Sequence, residues 1–134
     1  MKRAFIFFMV LLIVPLLAFN PAQPAGPDSP LEGVWELVSA EWEQDGAKTV
    51  FPNPELDAKS VKCYTKGHFF VIGKWEEVYA LSGTYVVKED MYTETIEISA
   101  FGNTGTPIDI KFKVEGDKLI LEADWFHEVW KRIE

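Results

Sequence analysis

The sequence predicts an all-β domain, a small eight-stranded antiparallel up-and-down barrel occupying residues 26–134. Three observations carry this: apolar and polar residues alternate with period two from Gly33 onward, turn signals recur every 7 to 12 residues, and nearly all connections are short. Eight neighbouring strands can wrap round until the last meets the first, which removes the exposed sheet edges. A sandwich is the competing architecture, but it needs long crossover connections that this chain lacks.

The clearest strand is Ile108 to Glu115, where apolar residues alternate with charged ones without a fault. One face must therefore meet a core and the other water. Gly116-Asp117, with glycine first, suits a two-residue type II′ hairpin turn, and Lys118 to Ala123 returns as the partner strand. The same reading places strands at about 33–43, 60–66, 68–75, 80–88, 91–100, 107–115, 118–123 and 127–133. Gln44 to Lys59 is the exception, a 16-residue connection containing Phe51, Pro52, Pro54 and Leu56. It is expected to cover an open barrel end as a lid, with at most a short helical turn after Pro52.

Residues 1–25 read as a secretory signal peptide with a proline-rich processing region. Lys2 and Arg3 precede an apolar run of 16 residues, Ala4 to Phe19, broken only by Pro15. That run is shorter than the ~20 residues that span a bilayer. Cleavage is expected, with no stable membrane anchor afterwards and a secreted or periplasmic destination; an uncleaved anchor is the alternative. Cys63, the only cysteine, is far from this segment, so it offers no lipid-attachment site there and no internal disulfide. Its expected role is an isolated buried thiol.

The chain carries 13 basic and 21 acidic residues. Removing Lys2 and Arg3 leaves 11 against 21, a net charge of −10 for residues 26–134. Such a surface repels phosphate backbones and anionic lipid, so no nucleic-acid partner is expected.

Gly33-Val34-Trp35 in the first strand, together with Arg132 in the last, resembles the Gly-x-Trp and terminal arginine pairing of the lipocalins and the wider calycin superfamily. The ordered segments LEGVWELVSAE, KGHFFV, SGTY, YTETIE, FKVEGDKLIL and VWKR resemble the secreted lipocalin-like domains of bacteria. The resemblance implies that the tryptophan plugs the closed barrel end while the arginine packs across its ring. Gly33, Trp35, Trp130 and Arg132 are then the barrel-closure residues. The chain departs from the longer lipocalins in lacking a cysteine pair and a clear helix after the barrel.

With Trp35 and Arg132 pointing inward, strand parity assigns the lumen. The first strand contributes Trp35, Leu37 and Ser39, the last contributes Glu128, Trp130 and Arg132, and Ile108 to Val114 contributes every second residue. Burying Ile96 and Ile98 carries Tyr92 and Glu94 inward as well. A carboxylate in an apolar barrel needs a partner, and Arg132, His68 and the hydroxyls of Tyr64, Tyr85 and Tyr92 are the expected ones. The candidate ligand-binding set is Tyr64, His68, Phe70, Tyr85, Tyr92, Glu94 and Phe112, a few polar and aromatic groups in an otherwise apolar pocket. The same groups would otherwise form an internal bond that fixes strand register.

Other chemistries find little support. His68 and His127 stand 59 residues apart without metal-ligand spacing, so no metal and no cofactor are expected. No catalytic residues are assigned: the nucleophile arrangements and glycine-rich phosphate loops are missing, and a Glu94/Glu128 acid–base pair has no further support. Trp42, Trp75 and Trp125 fall at strand ends, where a rim would hold them. Two functions remain: an exported binding protein for a small apolar or amphipathic molecule in the lumen, or a protein-interaction or structural module with a filled barrel and an acidic surface.

Overall fold

Alternating segments become strands in a computed structural model, which describes residues 29–134; the leader expected at 1–25 lies outside the described residues. In chain order the strands are β1 (Gly33–Gln44), β2 (Ala47–Phe51), β3 (Lys59–Tyr64), β4 (His68–Lys74), β5 (Val78–Lys88), β6 (Met91–Ser99), β7 (Pro107–Glu115), β8 (Lys118–Ala123) and β9 (Phe126–Arg132). No helix forms among the described residues.

All pairings are antiparallel, in the order β2-β1-β3-β4-β5-β6-β7-β8-β9, and β1 also pairs with β9. β1 and β3 to β9 therefore form a closed eight-stranded barrel, and β2 is a ninth strand outside the ring. β1 serves three partners in turn. It pairs with β3 over Gly33–Glu36, with β9 over Trp35–Trp42 and with β2 over Ala40–Gln44.

The expected 16-residue lid is thus corrected: its first part is a hairpin strand. Asp45 and Gly46 form the two-residue turn, both with positive φ (52° and 76°), as a type I′ hairpin requires. At the β7–β8 turn, Gly116 has φ 60° and Asp117 follows it between the paired Glu115 and Lys118.

Two bulges correct the parity. The β1–β9 register shifts between Leu37 and Ser39, so Ala40 is buried where Ser39 was expected. On β6 a shift opposite Ser82 and Gly83 turns Ile98 outward, leaving it 71% exposed. An added residue reverses which face every later side chain meets. Gly83 makes this second bulge feasible, because a Cβ there would run into the Thr95 carbonyl.

The end bearing the start of β1 and the finish of β9 is sealed. Trp35 is fully buried and its indole donates to the Leu31 carbonyl at 2.8 Å. The Arg132 guanidinium lies 4.1 Å from the Trp35 ring centroid and donates to the carbonyls of Glu32 and Pro30. A cation over an indole stabilises by ~0.5–2 kcal/mol. Gly33 permits the close approach: its φ is 132°, and Arg132 occupies the space a Cβ would need. Trp130, expected among the closure residues, is buried on β9, and its indole donates to Glu128 away from this seal.

Candidate ligand site in the barrel lumen

Inward residues divide the lumen into a packed floor and a more polar upper half. Of the candidate ligand-binding residues, Tyr64, Tyr85, Tyr92 and Phe112 are buried in the floor, with Phe69 beside them. Their rings meet edge-on: Tyr64 with Tyr85 and Tyr92 at 5.3 and 5.9 Å, and Tyr92 with Phe112 at 6.0 Å. The Tyr64 and Tyr92 hydroxyls are hydrogen-bonded at 2.9 Å, while the Tyr85 hydroxyl donates to the Thr65 carbonyl at 2.8 Å. Burial raises the ionisation of Tyr64 to about 12 and pushes Tyr92 well above its ordinary range.

Above this floor sits a buried ion pair. Glu94 points inward from β6, and its partner is Lys62 of β3, with Nζ and Oε2 3.1 Å apart. The Tyr92 hydroxyl also donates to Glu94, at 3.2 Å. The Lys62 ammonium stands within 6.0 Å of four ring centroids, those of Tyr64, Phe69, Tyr92 and Trp130. Burial acts to depress Lys62, but the charge of Glu94, followed by Tyr64 and Glu128, outweighs it and holds the ammonium charged above its ordinary range. Every fully buried side-chain polar atom among the described residues has a hydrogen-bond partner.

Lys62 was missing from the sequence-derived partners. On β3 the polar parity, Ser60-Lys62-Tyr64, faces inward, while Val61 and Cys63 are half-buried on the outer side. An inward Tyr64 would have revealed Lys62, since residues two apart share a face. Arg132 is occupied at the closed end and does not serve Glu94.

His68 and Phe70 are also corrected. β4 carries apolar residues on both faces, and the structure buries Phe69 and Val71. His68 is exposed and Phe70 is 43% exposed on the outer wall, so neither reaches the lumen.

The second inward carboxylate, Glu128, accepts from two indoles, Trp42 Nε1 at 2.8 Å and Trp130 Nε1 at 2.9 Å. Trp42 belongs to an aromatic cluster at the open end, meeting Trp75 edge-on at 5.3 Å, with Phe51 5.8 Å from Trp75. Small side chains share the upper walls: Ala40 on β1, Ser60 on β3, Gly73 on β4 and Ala123 on β8. Tyr79 lies over Gly73 and donates to the Ser60 hydroxyl at 3.1 Å. On the outside of the wall, an open groove of about 620 Å³ runs beside the β8–β9 turn, lined among others by Met91, Lys111, Trp125 and His127.

Chemically, the inner wall combines aromatic rings with the inward charges of Lys62, Glu94 and Glu128. A family model described as a domain of unknown function (DUF4488) matches residues 30–134. No curated protein matches the chain. Two solved structures share its fold. One is a lipocalin-like protein from Bacteroides uniformis ATCC 8492 at 16% identity and a TM-score of 0.57, covering 78% of this chain and 100% of the other. The second is a lipoprotein YedD from Klebsiella pneumoniae subsp. pneumoniae MGH 78578 at 17% identity and a TM-score of 0.50, covering 84% and 79%.

Proposed function

The chain belongs to the family described as a domain of unknown function (DUF4488), and from its lipocalin-like barrel we propose that it is an exported binding protein for a small apolar or amphipathic molecule held in the upper lumen. The observation that carries this reading is the asymmetry of the barrel. One end is sealed by Trp35 and Arg132, whereas the other presents an aromatic rim above small inward residues and inward charges. Concave apolar surfaces with a few converging polar groups are the usual form of small-ligand sites. The basic-then-apolar leader supports export, as does the fold shared with a protein named as a lipoprotein.

A second reading, the filled barrel acting as a protein-interaction module, draws on the outer wall. Phe70, Ile72, Val78 and Ile98 are 43–74% exposed on the adjoining strands β4, β5 and β6. Contiguous exposed apolar surface often marks a contact site.

Titration with the neutral fluorescent probe N-phenyl-1-naphthylamine separates the two. Ala40→Phe, which fills the upper lumen, is expected to abolish probe binding, while Phe70→Ser with Ile72→Ser on the outer wall leaves it intact. The reverse pattern would refute the lumen as the site.

A further inference from the structure

Resting on the lumen reading, we infer that the bound molecule carries a positive charge, an amine or quaternary ammonium head on an apolar body, with its head seated at Glu128 below the rim. Among the described residues, the lumen holds two inward carboxylates, Glu94 and Glu128, and one inward ammonium, Lys62. Lys62 is committed to Glu94 at 3.1 Å. Glu128 has no cation within ion-pair distance among the described residues; its two contacts are neutral indole N–H groups. Each carboxylate oxygen can accept more than one hydrogen bond, so both retain capacity for a further donor.

Position strengthens the case. Glu128 is only partly buried, one inward step along β9 from Phe126 at the open end. Trp42, which holds one of its oxygens, also meets Trp75 at the rim, so aromatic ring surface and carboxylate lie together at the entrance. The two indoles meet Glu128 with their N–H edges, so the attraction for a cation at this position comes from the carboxylate charge. The acidic excess of residues 26–134, 21 against 11, draws cations toward the protein and repels fatty-acid-like anions. An anionic head would meet Glu128 unpaired and would have to compete with Glu94 for Lys62.

The test displaces bound N-phenyl-1-naphthylamine with three ten-carbon compounds, decyltrimethylammonium, decanol and decanoate, each below its micelle threshold. Wild-type protein is expected to prefer the ammonium over the alcohol by about tenfold, with decanoate weakest. Added salt should shrink that preference, and Glu128→Gln should remove most of it while leaving decanol unchanged. Equal displacement by all three, tighter decanoate, or an undiminished preference in Glu128→Gln would overturn the inference. The wild-type ranking stands on its own if the variant folds poorly. Failure of all three against a bound probe overturns the inference alone, whereas failure of the probe itself to bind overturns the lumen reading and this inference with it.

Discussion

Replacing Lys62 with methionine is expected to cost the domain about 3–5 kcal/mol, because it strands the Glu94 carboxylate inside the barrel. At 3.1 Å and an effective dielectric of ~20, the two charges attract by about 5 kcal/mol. Taking both out of water costs several kcal/mol per ion, so the intact pair is close to neutral for stability while the broken pair is not. The double variant Lys62→Met/Glu94→Leu is accordingly expected within about 2 kcal/mol of the parent, since Tyr64 and Tyr92 still satisfy each other at 2.9 Å. Urea denaturation of the four proteins in the cycle measures this directly, and the single variant should melt lower by about 12–20 °C. A loss below about 1 kcal/mol for Lys62→Met, or a double variant worse than the single, would refute the buried pair.

Removing the Arg132 head with Arg132→Leu forfeits the stacking on Trp35 and two carbonyl contacts, an expected loss of about 1–3 kcal/mol in chemical denaturation. Gly83→Ala drives a Cβ against the Thr95 carbonyl, whose carbon would lie 2.8 Å away, and should cost about 1–3 kcal/mol or reset the β5–β6 register seen by backbone NMR. Alkaline stability is set by the floor. Tyr64 ionises near 12 when folded against an ordinary value of 10.0, and Lys62 is likewise raised, so the folded state binds more protons above pH 10. Both contributions are complete below pH 10 and are lost as pH rises through the folded values. The Tyr64 shift alone amounts to about 3 kcal/mol between pH 10 and 12. Tyrosinate absorbance should therefore show Tyr64 and Tyr92 ionising only with unfolding; early titration of all four tyrosines would contradict their burial.

Alternation made the barrel legible, because a strand with one wet face has little choice of register. Ile108 to Val114 and the Gly116-Asp117 turn illustrate this, and Trp35 and Arg132 meet as the family resemblance implies. The misplacements occur where that logic loses its grip. Bulges at Leu37/Ser39 and Ser82/Gly83 changed parity without an apolar signal, exchanging Ser39 for Ala40 and exposing Ile98. β4 is apolar on both faces, so His68 and Phe70 could be placed on either. β2 was hidden by its shortness and its exposed, non-alternating residues, although Asp45-Gly46 is a strong hairpin signal that could have found it. Lys62 escaped notice because a lysine reads as surface until its strand neighbour Tyr64 is known to point inward.

Backbone NMR during titration with N-phenyl-1-naphthylamine tests the ligand site most directly. Saturable shifts concentrated at the amides of Ala40, Ser60, Gly73, Ile96 and Ala123 would place the probe in the upper lumen, as the account predicts. Shifts confined to Phe70, Ile72 and Ile98, with the inward positions unmoved, would contradict it and assign the apolar contact to the outer wall.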